Sequence, residues 1–171
     1  MKIRLLAWAA PPLVAALCTS IASAQTSFQA VLTGAGEFPA NASTATGFGT
    51  VVLSADQSTI TVNESWSGLS APATASHIHG PAAPGANASV LFPFTGVPSA
   101  TSGSIPQQSF SITPTQVGYL FAGTLYMNVH NVNFQGGEIR GQLVPVPEPS
   151  TFGLIAAGIA GAFGLARFRK R

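Results

Sequence analysis

Charge is scarce between the two ends of this chain, and cysteine is nearly absent. From Gln25 to Val146 the charged residues are Glu37, Asp56, Glu64, Glu138 and Arg140, four acids against one arginine. The overall excess of Lys and Arg therefore belongs to the termini, and a basic surface for nucleic acid is excluded for the middle of the chain. Cys18 is the single cysteine. It directly follows an N-terminal apolar run, ahead of the expected cut after Ala24, so no disulfide framework and no cysteine nucleophile serve the domain that follows. Long stretches of helical period are missing, which argues against a helical bundle. There is no G-x-S-x-G elbow, no phosphate loop and no cluster of carboxylates, so no catalytic residue is assigned and the expectation is a non-enzymatic protein.

What is present begins with two address segments. Lys2 and Arg4 precede an apolar run from Leu5 to Leu17, and Ala22-Ser23-Ala24 has the small residues of a signal-peptidase site. Residues 1–24 are expected to form a secretory signal, a short apolar helix cut after Ala24. At the other end, Val146-Pro147-Glu148-Pro149-Ser150 precedes the apolar run Thr151–Ala166 and the basic end Arg167-Phe168-Arg169-Lys170-Arg171. Sixteen helical residues span about 24 Å, and Phe168 with snorkelling arginines extends this toward a bilayer core of about 30 Å. A transmembrane helix is expected over about 151–168, with its basic tail cytoplasmic. The segment 145–171 resembles the PEP-CTERM sorting signal of Gram-negative bacteria. That resemblance implies an inner-membrane intermediate cut near Pro147-Glu148-Pro149 by an exosortase, then passage to the cell surface or extracellular matrix.

Residues 25–144 are rich in Gly, Ser, Thr, Ala and Val, arranged as short alternating strands between turns, the pattern of an all-β antiparallel sandwich or barrel of about eight strands. Phe28, Ala30 and Leu32 share one face, and Gly47–Ser54 and Thr59–Trp66 form an early hairpin with Ile60, Val62 and Trp66 inward. Ser102–Ile112 reads as one strand marked by Pro106, and Thr113-Pro114 starts a single helical turn. The stretch Gly123–Leu143 reads as a hairpin turning at Gly136-Gly137. Pairing Val129 with Ile139 puts every apolar residue on one side, and then sets Tyr126 opposite Gln142, Asn128 opposite Arg140 and His130 opposite Glu138.

The three histidines fall in two of these strands. His77 and His79 leave the same face of a strand while Ile78 faces the core, and His130 stands on the polar row of the long hairpin. If the two strands are neighbours, three imidazoles converge into a site for copper or zinc with one position open, and Glu138 would orient His130. The other reading is that the rings hydrogen-bond to nearby backbone and shape a loop. Arg140 is expected on the surface, solvated or paired with Glu138 or Glu64.

FQAVLTGAGEFPA, ASHIHGPAAPGANASVLF and GTLYMNVHNVNFQGGEIRGQL, in this order, resemble a CHRD domain over about Ser27–Leu143. Asn131 stands where that family usually has Thr. The resemblance implies a Greek-key, immunoglobulin-like β-sandwich. The HIH pair with a distant strand ending in His resembles, in part, the copper ligands of copper/zinc superoxide dismutase, although the fourth copper histidine, the zinc ligands and the cysteines of that enzyme have no counterpart. The expectation is an exported surface module that contacts extracellular polysaccharide or another protein, with a metal-binding or redox protein built on His77, His79 and His130 as the alternative.

Overall fold

The computed structural model describes residues 25–147. Ten strands are present among them: β1 Thr26–Thr33, β2 Thr46–Leu53, β3 Thr59–Ser67, β4 Ala73–His79, β5 Val90–Pro93, β6 Gly103–Ser104, β7 Gln108–Ser111, β8 Tyr126–Asn131, β9 Ile139–Gln142 and β10 Val144–Pro145. One α-helix, α1 Pro114–Phe121, lies between β7 and β8, and a 3-10 turn, Gly34–Gly36, follows β1. The all-β expectation holds. The signal segment with its cut at Ala24, the span 151–168, and Glu148 and Pro149 lie outside the described residues, while Pro147 is their exposed last member. No helix among the described residues is long and apolar enough to cross a membrane.

The strands form one antiparallel sheet in the order β5-β4-β8-β9-β1-β2-β3-β6, with β7 also on β3 and β10 also on β1. The sheet curls so that its two halves face one another, which gives a sandwich-like interior from a single hydrogen-bonded surface. Three contacts across the interior show this. A Cβ on Gly49 of β2 would meet the Met127 sulfur of β8, a Cβ on Gly47 would lie 3.0 Å from Cδ1 of Ile139 in β9, and Glu64 of β3 is hydrogen-bonded to Ser76 of β4. Between the halves lie Phe28, Leu32, Val51, Ile60, Val62, Ile78, Met127, Val129 and Ile139. These are the positions that period-two alternation assigns to one face of each strand. Trp66 is inward as expected, and its indole N–H donates to Ala100 O at 3.2 Å.

The sequence reading needs two adjustments. Ser102–Ile112 is broken at Pro106 into β6 and β7, because proline has no N–H to give the ladder. The helix has eight residues, more than a single turn. Its N-terminus is closed by a capping box, in which Thr113 Oγ1 accepts from Gln116 N at 3.3 Å and Gln116 Oε1 accepts from Thr113 N at 2.9 Å. Gly118 is exposed in this helix, and a Cβ there would touch nothing within 4 Å. Gly118→Ala should therefore raise stability by about 0.5–1 kcal/mol, read from urea unfolding.

Two further features lie on β3 and at β10. Glu64 occupies an inward position of β3 and is 3 % exposed. Its Oε2 is bonded to Ser76 Oγ, its Oε1 has no partner, and burial pushes the carboxyl up to about 8. Ser76 Oγ also donates to Asn128 O at 2.8 Å. A hydroxyl has one hydrogen, so a neutral Glu64 that donates to Ser76 satisfies both contacts. The second feature is β10, which runs beside the start of β1 with Phe28 opposite Pro145, while Val146 N donates to Ser27 O at 2.8 Å.

Candidate metal centre

β4 and β8 are neighbours, with His77 opposite Asn128, His79 opposite Tyr126 and Ala75 opposite His130. This pairing brings the three histidines together on the face opposite the core, while Ile78 and Met127 point inward. Ring centroids are 4.9 Å apart for His77–His130, 5.3 Å for His77–His79 and 5.9 Å for His79–His130. One ring nitrogen from each lies within 4.8 Å of the others. A metal at 2.0–2.1 Å from each ligand sets tetrahedral nitrogens roughly 3.4 Å apart. His77 Nδ1 and His130 Nε2, at 3.2 Å, already have that spacing.

Hydrogen bonds turn free nitrogens toward the centre. His79 Nδ1 faces Ala88 O at 2.9 Å, so its proton is assigned there, and the lone pair is left on Nε2. That Nε2 is buried and makes no hydrogen bond of normal geometry, with the Asn128 side chain as a polar neighbour. His130 Nδ1 faces Gln135 O at 2.9 Å, and its Nε2 lies between His77 Nδ1 at 3.2 Å and Asn128 Oδ1 at 2.9 Å, an acceptor that must turn aside for this nitrogen to offer a lone pair to a metal. All three rings titrate below the ordinary histidine value. Burial is the first cause in each case. His77 falls to about 4 with help from its two histidine neighbours, and Arg140 adds to the fall of His79. At neutral pH the rings are uncharged, the state that binds metal.

The structure separates Glu138 from this site. The pairing of β8 with β9 runs Tyr126–Gln142, Met127–Gly141, Asn128–Arg140 and Val129–Ile139, as expected, and stops there. Glu138 N donates to Val129 O at 2.8 Å, and the turn after Asn131 carries the Glu138 side chain away from His130. Its buried carboxylate accepts from Ser43 Oγ at 2.6 Å, from Ser70 N at 2.9 Å and Oγ at 3.0 Å, and from Asn131 Nδ2. Burial raises this carboxyl, but those donors outweigh it and hold the pKa below the ordinary range. Glu138 thus clasps two loops to the end of β8, and the carbonyl of Gln135 takes the orienting role expected of Glu138.

Arg140 is also placed differently from expectation. It is 1 % exposed, and no carboxylate is among its hydrogen-bond partners. Its Nη1 donates to Ala86 O at 2.9 Å and its Nη2 to Gln142 Oε1 at 3.0 Å. The Arg140 Cζ sits 3.4 Å from the Tyr126 ring centroid, and Tyr126 stacks on His79 with centroids 5.0 Å apart and planes 5° apart. Tyr126 Oη accepts from Ala88 N at 3.1 Å, beside the carbonyl that holds His79. The loop between β4 and β5 is thereby anchored to the polar row of β8 and β9. Tyr126 and Arg140 belong to the site although neither is a ligand. The cross-strand pairing already put them on the histidine face.

No curated protein and no solved structure matches the chain. Two family matches account for most of its length: the CHRD domain over residues 28–143 and the PEP-CTERM protein-sorting motif over residues 145–170. The sorting motif implies export, surface sorting and processing by exosortase-type machinery in bacteria. The histidine cluster lies wholly within the first match, and the chain therefore belongs to the CHRD domain family and carries a PEP-CTERM sorting motif behind that domain.

Proposed function

We propose that this chain is a non-enzymatic, surface-held module that binds one copper or zinc ion through His77, His79 and His130. The observation that carries the reading is the set of three imidazoles with ligand nitrogens within 4.8 Å, one of them the buried Nε2 of His79, which makes no hydrogen bond of normal geometry. A buried nitrogen lone pair without a donor is costly to keep, and a metal ion would satisfy it. The route to the surface runs through signal peptidase at Ala24, an inner-membrane intermediate of a Gram-negative cell, and exosortase-type cleavage near Pro147-Glu148-Pro149. At the surface the domain contacts extracellular polysaccharide or protein.

Metal analysis and titration of the full chain in detergent test the site. The expected result is one equivalent of copper or zinc per chain. His79→Ala should weaken binding by a factor of about 100 or more, in line with the loss of one of three protein ligands. A wild-type chain that takes up neither ion would remove the reading.

A further inference from the structure

We infer that the site selects monovalent copper over divalent copper and zinc, through its three-fold neutral ligand set and the buried cation behind it. The inference rests on the metal-binding reading above and specifies which ion it concerns.

Charge is the first argument. The three ligands are neutral imidazoles, and no carboxylate is in the cluster. Glu138, the acid beside the hairpin turn, is committed to Ser43, Ser70 and Asn131. On the other side of Tyr126, Arg140 holds a permanent positive charge out of water. The guanidinium carbon is 3.4 Å from the Tyr126 centroid, and that centroid is 5.0 Å from the one of His79, so the charge stands at most about 8.4 Å from the centre of the His79 ring. The acid in its field is Glu37, which is 6 % exposed and has a buried Oε1 without a hydrogen-bond partner. Burial pushes Glu37 up to about 7 against the pull of Arg140, so it offsets the guanidinium only in part. Each added unit of positive charge on a bound ion therefore meets repulsion that no ligand neutralises.

Coordination number is the second. Zinc takes four ligands, and divalent copper prefers a tetragonal set. Monovalent copper accepts three neutral donors in a trigonal arrangement. The described residues supply three histidine nitrogens and no fourth His, Cys, Asp or Glu in the cluster. The Arg140–Tyr126–His79 stack and the carbonyl of Ala88 hold the third ring beside the other two.

The test is competition of the full chain in detergent against chelators of known affinity. Monovalent copper is titrated anaerobically, and divalent copper and zinc in parallel, for wild type, Arg140→Gln and Arg140→Lys. Wild type should hold monovalent copper at least 100-fold more tightly than either divalent ion. Arg140→Gln should reduce the preference over divalent copper about tenfold, the size expected for one charge at this range with partial screening. Arg140→Lys keeps the charge without the planar stack and should keep most of the preference, which a purely structural role for the side chain would not allow. Equal or tighter wild-type binding of a divalent ion overturns this inference and leaves the metal site standing. So does an unchanged ratio in Arg140→Gln. Binding of no ion overturns both. If the Arg140→Gln chain fails to fold, the wild-type ratio alone still decides.

Discussion

Replacing Glu64 with Gln should flatten the pH dependence of stability between about pH 4.5 and 8 and raise the melting temperature at pH 8. In the unfolded chain this carboxyl loses its proton near the ordinary value of 4.5, whereas in the folded chain it keeps it up to about 8. Across that window the folded state binds more protons than the unfolded state, so stability falls as pH rises, and the full penalty is reached above the folded value. At pH 7 the accumulated loss is about 3 kcal/mol. Glutamine keeps the shape, donates to Ser76 Oγ and has no proton to lose. The difference in unfolding free energy between Glu64→Gln and wild type should therefore grow from near zero at pH 4.5 to about 3 kcal/mol at pH 7, measured by urea titration at several pH values. Using the difference cancels the contributions of Glu37, which slopes the same way near neutrality, and of the histidines, whose lowered values act at acid pH. Parallel curves for the two proteins would mean that Glu64 is ionised in the fold.

Gly141→Ala should be the most damaging small substitution in the domain. A Cβ at this position of β9 would fall on the backbone of Val31 in β1, 2.7 Å from its carbonyl carbon and 3.1 Å from its nitrogen, with the carbonyl oxygen closer still. These are backbone atoms of a strand paired along its whole length with β2, so they cannot swing aside as a side-chain tip can. The β1–β9 junction, where Thr33 opposes Arg140, joins the two halves of the curled sheet. Forcing it apart combines overpacking with lost strand pairing. The expected cost is about 3–5 kcal/mol, enough to depress expression and move the urea midpoint sharply. Gly136→Ala is the control: it is exposed, a Cβ there meets nothing within 4 Å, and its effect should stay within about 0.5 kcal/mol. Equal losses from the two substitutions would remove the close approach as the cause.

The legible part of this molecule is the part governed by alternation. The apolar rows of β1, β8 and β9, the register from Tyr126–Gln142 to Val129–Ile139 and the shared face of His77 and His79 follow from period two. The convergence of the histidines needed only the adjacency of β4 and β8. The missed features depend on loops from distant sequence. Arg140 reads as a surface residue until the loop bearing Ala83, Ala86 and Asn87 closes over it. Glu138 fits a histidine partner until the turn after Asn131 interrupts the pairing, and Ser43 and Ser70 arrive from other loops to take its carboxylate. Glu64 is different. Period two already placed it inward with Ile60, Val62 and Trp66, but charge argues for water, and only the meeting with Ser76 across the curl decides the matter.

The pairing of β10 with the start of β1 has a mechanical corollary. Adjacent strands lie about 4.8 Å apart, so Ser27 and Val146, joined by a backbone hydrogen bond, put the junctions to both address segments at a single point on the domain. A tether at either end would therefore pull on the same corner of the domain. Removing the residues before Thr26 or after Pro145 leaves every strand of the sheet whole.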